Sequence, residues 1–345
     1  MRSALPKPLH RICGRPMVLH VIDALAELEV STVVVVVGHG ADQVVKEVTE
    51  LAPEGLTVIF ATQEHQLGTG DAVAAGMAAL GHGGGDDEDV VVLPGDTPLL
   101  RPGTLAALVA THHARDAGVT LLTAELSDPT GYGRIVRSKD GRVAGVVEHA
   151  DATEEQRLIR EVNTSIYCFR RSLLSPALRR LEPQNAQGEL YLTDVVGVLH
   201  EAGYTTSSLT VADSMEAAGV NDRAQLAVAE AELRDRINER WLRRGVTMWD
   251  PERTYVDATV ELAEDVTLLP GTILRGTTTV GTGARIGPDA VLEDCVVGEG
   301  AKLDVVHARG AHIGADARIE SFSVLRPGAV VAPGTHLAPG SVVEA

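Results

Sequence analysis

Between Val18 and Leu28 the aliphatic residues Val18, Val21, Ile22, Leu25 and Leu28 recur at steps of three and four, which predicts an amphipathic helix. The continuous β-branched run Val33 to Val37, closed by glycine, predicts a short strand buried on both faces. The same alternation continues through "LTVIFATQ", "GDAVAAGMAAL", "DVVVLPGDTPLL" and "GTLAALVATHHA" to about residue 125. Strand and helix taking turns in this way predict βαβ units on a parallel sheet. The stretch "GHGGGDDED" reads as a solvated loop between them.

A second regime begins after a charged segment from Ala224 to Arg244, where Leu226, Leu233, Ile237 and Trp241 mark one side of a connecting helix. The alternative reading is an ordinary surface helix of the first domain. Past residue 255 helical periods vanish. Ile313, Ile319, Leu325, Val331, Leu337 and Val343 follow one another at constant steps of six. Val280 and Ile286 share that step, as do Val291, Val297 and Leu303, with a slip of register between the two sets. Gly281, Gly287, Gly298 and Gly314 each follow one of these aliphatic residues. A period of six with one inward aliphatic residue per side is a hexapeptide repeat, three hexads closing one triangular coil. A β-sandwich would instead show turns every 8 to 12 residues or so. Counting roughly 18 residues per coil gives about five coils.

Composition narrows this picture without changing it. The 345 residues suffice for two domains, and aromatic residues make up only 3%, so the core must be aliphatic. A formal charge of −18 offers no basic face for nonspecific nucleic-acid binding. Cys13, Cys168 and Cys295 lie far apart with no C-x-x-C pair, so their spacing suggests neither a zinc motif nor a disulfide framework. No apolar stretch approaches the ~20 residues a membrane helix needs.

In the order "PKPLHRICGRPMVLHV", "QLGTGDAV", "LPGDTPLL", "GYGRIVR", "VVEHADA", "EVNTSIY", "NAQGELYLTD" and "GVNDRAQL", ahead of a hexapeptide repeat, the chain resembles one family over nearly its whole length. That family is the bacterial bifunctional N-acetylglucosamine-1-phosphate uridyltransferase/glucosamine-1-phosphate acetyltransferases. Each motif alone is weak; their order and spacing are specific. The resemblance implies a Rossmann-like α/β nucleotidyltransferase domain over 1–223, a connecting helix over 224–245 and a left-handed parallel β-helix over 246–345. It also implies acetylation of glucosamine-1-phosphate by acetyl-CoA, then uridylyl transfer from UTP to N-acetylglucosamine-1-phosphate to give UDP-N-acetylglucosamine, a peptidoglycan precursor. A cytoplasmic homotrimer without nucleic-acid or membrane partners is expected.

By resemblance, Asp96 and Asn221 are the Mg2+ ligands. Asp96 follows a buried strand, where parallel sheets place their ligands, and an oxygen donor there suits Mg2+; its bland alternative is a cap on the next turn. Lys7 matches a lysine contacting nucleotide and sugar phosphates, a compact cation for developing charge. Lys7 and Asp96 are the expected catalytic pair. Gln63, Gly68 and Thr69 match the uracil and nucleotide site, since an amide reads a pyrimidine edge and glycine admits the ring. Gly133, Glu148 and Asn163 match the N-acetylglucosamine site, whereas Tyr132 and Arg134 read as structural. Glu148 is otherwise an ordinary surface acid. Arg326 matches a contact to the acceptor sugar phosphate, and fits as well as an exposed corner of the coil.

Pro6 and Pro8 break any strand before the helical pattern that Met17 starts, whereas an α/β domain usually opens on a buried strand. In the family a first strand and a loop of the type L-A-A-G-x-G-T-R-M cradle the UTP phosphates, and Met1 falls on the last residue of that loop. The loop, and the later coils with the histidine base and most acetyl-CoA contacts, are expected to fall outside this chain through a late start and a truncated gene. On that expectation the polypeptide as written has little acetyltransferase and severely impaired uridyltransferase activity. A sugar-1-phosphate nucleotidyltransferase of other specificity, or a catalytically dead trimerising scaffold, are the competing readings.

Overall fold

The computed structural model describes residues 1–81 and 88–345; the glycine- and acid-rich loop expected over 81–89 falls mostly outside the described residues. The chain divides into two compact units, one formed by Met1–His10 with Pro16–Gln225, the other by Arg11–Arg15 with Leu226–Ala345. Among the described residues no helix is long and apolar enough to cross a membrane.

In the first unit helices Met17–Ala26, Thr69–Ala79 and Pro102–Ala114 fall where the periodicity places them, and a further helix, Ala41–Leu51, forms where no helix was expected. Strands Thr32–Val37 and Thr57–Thr62 pair in parallel over six residues. Only Val33 and Val37 of the valine run are fully buried; Val34, Val35 and Val36 are half-buried, because this sheet has just two strands among the described residues.

The main sheet is mixed rather than parallel. Strand Val119–Glu125 is flanked in parallel by Thr206–Thr210 and antiparallel by the long strand Glu161–Arg170, which also pairs antiparallel with Asp89–Val92. The physical cause is "EVNTSIYCFR": β-branched and aromatic residues on both faces make a ten-residue strand, and it returns between two strands that local pattern alone would make neighbours. Its alternation builds two cores. Val162, Ile166 and Cys168 join Leu122 and Ala124 beneath the first helices, while Tyr167 and Phe169 join Val119 and Leu121 against helices Arg171–Leu178 and Asp194–Glu201.

Helix Arg223–Arg243 leads into the second unit, close to the expected 224–244. Strands of two or three residues there form three parallel sheets of six, six and five strands. This is a parallel β-helix with one sheet per face. From Val256 the buried residue of each strand advances by six through Leu262, Leu268, Leu274, Val280, Ile286 and Leu292. The inward residue is thus Leu292, not Val291, which is half-buried. The slip comes next. Leu292 to Val297, Leu303 to Ala308 and Ala308 to Ile313 are steps of five, after which the step of six returns. Stacked partners accordingly stand eighteen apart at Leu274↔Leu292, sixteen at Leu292↔Ala308 and eighteen again at Ile313↔Val331.

From Leu262 onward each corner turns through a residue of positive φ, among them Asp265, Asp289, Asp294, Val305, Gly310, Asp316 and Phe322. Glycine and aspartate tolerate that region; a β-branched valine does not. The glycines that follow the inward residues serve a different end. A Cβ on Gly281, Gly298 or Gly314 would stand 2.8, 2.5 or 2.4 Å from the backbone nitrogen of Glu299, Ala315 or Pro333 in the adjoining coil. These glycines let successive coils stack closely.

Candidate active site

The segment Lys7–Leu9 forms a single 3-10 turn that Pro6 and Pro8 favour by fixing φ, and it presents Lys7. Asp96 lies in the turn beyond strand Asp89–Val92, and its carbonyl oxygen accepts a bond from Val220 N at 2.9 Å. That bond places Asn221 beside it. The Lys7 ammonium pairs with Asp96 Oδ2 and donates to Asn221 Oδ1 at 2.6 Å, so a carboxylate and an amide oxygen converge on one cation. Asn221 N is held in turn by Gln225 Oε1 at 2.6 Å.

Gln63 extends from the end of strand Thr57–Thr62 and donates from Nε2 to Gly68 O at 3.1 Å and to Asp71 Oδ2 at 2.8 Å. Gly68 caps helix Thr69–Ala79 at φ 118° and ψ 179°, a conformation open essentially to glycine alone. A Cβ there would lie 2.6 Å from Leu190 O. The loop is stitched to "ELYL": Leu190 N donates to Leu67 O at 2.7 Å, Gly70 N to Leu190 O at 2.8 Å and Leu192 N to Thr69 Oγ1 at 3.0 Å.

Thr193, the next residue, donates its hydroxyl to Glu148 Oε1 at 3.1 Å. Burial pushes the Glu148 carboxyl up from its usual value, the Thr193 bond opposes the rise, and the charges of Asp194 and Asp151 add to it. Gly133 stands beside this carboxylate, since a Cβ on it would come within 3.4 Å of Glu148 Oε2. Gly133 O accepts from Asn163 N at 2.9 Å, and Asn163 Nδ2 donates to the Tyr167 hydroxyl oxygen at 2.7 Å. Asn163 is buried, and its side-chain oxygen accepts from Ser165 N at 3.3 Å. Arg134 is buried and turned back on Tyr132 O and His149 Nδ1, as a structural residue would be.

The structure therefore assembles three groups in the first unit: Lys7, Asp96 and Asn221; Gln63, Gly68 and Thr69; and Gly133, Glu148 and Asn163. The segment 189–193 ties the second to the third. Arg326 belongs to the second unit, where it is exposed and its Nε lies 3.7 Å from Glu344 Oε1. Thr193 and Tyr167, which set the orientation of Glu148 and Asn163, were not singled out by sequence reasoning; both lie inside quoted motifs, but their hydroxyls acquire partners only through the fold.

The profile of the MobA-like NTP transferase domain matches residues 1–194. A bifunctional protein GlmU of Streptomyces avermitilis is 48% identical over 95% of this chain and 67% of its own length, and one of Streptomyces coelicolor is 47% identical over the same shares. One from Mycolicibacterium gilvum is 47% identical over 100% of the chain and 68% of its own. The chain thus spans about two thirds of the length of these relatives. Among solved structures, a UDP-glucose pyrophosphorylase complexed with UDP-glucose superposes with a TM-score of 0.45 at 14% identity over 59% of this chain and 83% of that one, too distant to bear on function. Nucleotidyltransferase unit, β-helix and sequence identity agree: the chain is a transferase of the bifunctional GlmU family.

Proposed function

We propose that the first unit transfers uridylyl from UTP to N-acetylglucosamine-1-phosphate, giving UDP-N-acetylglucosamine and pyrophosphate. The observation that carries the proposal is the convergence of Asp96 and Asn221 oxygens on the Lys7 ammonium. A phosphate oxygen of the sugar phosphate attacks the α-phosphorus of UTP; one P–O bond forms as the bond to pyrophosphate breaks. Such a transfer needs in-line positioning and neutralisation of charge more than a general base. Lys7 supplies a fixed positive charge to the α-phosphate. Gln63 orients the uracil edge, with Gly68 and Thr69 shaping the approach. Glu148, Asn163 and the main chain of Gly133 accept and donate to the sugar and its acetamido group.

The two oxygens gathered around Lys7 are a hard donor pair of the kind Mg2+ takes, alongside phosphate oxygens. Asp96 and Asn221 would hold it. Bound there, Mg2+ would supply positive charge to offset that of the phosphates. We further propose that the exposed Arg326 fork of the second unit contributes a phosphate contact to the family's second activity, the acetyl-CoA-dependent acetylation of glucosamine-1-phosphate. A homotrimer through the β-helix is part of the same reading. Exposed Val296 and Val330 on one sheet support it. So is a cytoplasmic location, where UTP is available.

Calorimetry of UDP-N-acetylglucosamine with the full chain tests the reading. Saturable binding that strengthens with Mg2+ and weakens in Asp96→Asn supports it. UDP-glucose or a guanine nucleotide sugar binding as tightly would favour a different sugar nucleotide, and no binding at all a scaffold.

A further inference from the structure

At the opposite end of strand Asp89–Val92 from Asp96, three side chains from three elements meet: Asp89, His112 of helix Pro102–Ala114 and Cys168 of strand Glu161–Arg170. One ligand-capable atom from each lies within 4.8 Å of the others. We propose that Asp89, His112 and Cys168 form a binding site for a divalent transition metal of the zinc class, separate from the nucleotide site.

Several features converge on a cation. His112 is 2% exposed, and its Nε2 finds no hydrogen-bond partner although Asp89 Oδ1 lies 3.3 Å away. Its Nδ1 is 3.1 Å from Thr120 Oγ1, a contact that, with Nδ1 as donor, leaves the Nε2 lone pair facing the cluster. Thr120 is itself the sheet partner of Cys168, so one pairing sets both ligands. The second Asp89 oxygen is held from the solvent side by His113 Nε2 at 2.6 Å. One carboxylate and one thiolate would neutralise a dication, which a buried site requires. Arg170 opposes a cation here, but its guanidinium is committed to Asp116.

The donor set decides the class. Sulfur, imidazole nitrogen and a carboxylate oxygen suit Zn2+ or Co2+ and not Mg2+, and three protein ligands leave a fourth position for water. A cysteine nucleophile backed by histidine and aspartate is the other chemistry such residues could offer. Cys168 is fully buried, so its sulfur is not presented to a substrate, which rules that out. The metal would instead clamp helix Pro102–Ala114 to two strands of the sheet. No spacing rule could flag it, since the ligands stand at 89, 112 and 168.

The test uses the full chain, stripped with a chelator and dialysed against Zn2+ or Co2+ in excess Mg2+. One equivalent of Co2+ should bind with a thiolate-to-metal charge-transfer band in the near ultraviolet, and Zn2+ should raise the melting temperature. Asp89→Asn should lower Zn2+ affinity by about tenfold or more, and Cys168→Ala should abolish the band. Absence of the band, or unchanged Zn2+ affinity in Asp89→Asn, overturns the proposal. Asp89 is partly exposed, so that variant decides the matter even if the buried Cys168→Ala chain fails to fold.

Discussion

Lys7 and Asp96, 89 residues apart in sequence, form an ion pair that Asn221 completes. Lys7 is the only cation paired with Asp96 among the described residues. Replacing it with alanine should lower affinity for UDP-N-acetylglucosamine in Mg2+ by about tenfold or more, the worth of a charged hydrogen bond to phosphate. Because the ammonium is half-exposed, the melting temperature should hardly move. Calorimetry beside a thermal melt checks both.

Gly68 should not tolerate a side chain. Gly68→Ala places a Cβ 2.6 Å from Leu190 O in a backbone conformation that alanine avoids. A cost of about 1–3 kcal/mol is expected from the backbone alone. Urea unfolding reads it as a lower midpoint, and weaker uridine-nucleotide binding should accompany it.

Glu148 carries a pH signature. Its carboxyl is raised by burial, so the folded chain holds the proton more tightly than the unfolded chain and ionisation subtracts stability. Below the usual 4.5 both states are protonated and nothing is lost; the cost grows as pH climbs from 4.5 through the raised folded value and is constant above it. Glu148→Gln should therefore raise the melting temperature at about pH 7 and change it little at about pH 4. The same variant should bind the nucleotide sugar less well, as the anionic acceptor is gone. Melts at the two pH values, with one titration of ligand, are sufficient.

The coil corners predict opposite effects from two small changes. Val305 sits at φ 47°, so Val305→Gly should relieve about 1 kcal/mol of strain and raise the melting temperature. Gly298→Ala forces a Cβ to 2.5 Å from Ala315 N and should lower it. If both shifts have the same sign, corner geometry and coil spacing are not what these two residues govern.

The six-residue step was legible because one large aliphatic residue per side must point inward whatever its neighbours do. It misled at Val291 because Leu292 is also aliphatic, and only pairing with Leu274 settles which of the two is buried. The two shortened sides that meet at Ala308 escaped notice because Ala308 fills an inward position with a residue the pattern does not count. In the first unit, helices were visible from local spacing, whereas the antiparallel insertion of Glu161–Arg170 depends on partners some forty to eighty positions away. The site divides along the same line. Lys7, Asp96 and Asn221 stand in motifs that their order identifies, while the hydroxyls of Thr193 and Tyr167 gain meaning only when the sheet brings Glu148 and Asn163 to them.

The sides of five residues between Leu292 and Ile313 lie within an unbroken stack, and strands before and after them keep their partners. A residue lost at a corner is absorbed there, since the ladder bonds run between coils and not along them. For lineages that inherit this unit, gain or loss of one residue is a local event confined to a single bend, and gaps between homologues should gather at the bends while the two-residue strands drift only by substitution.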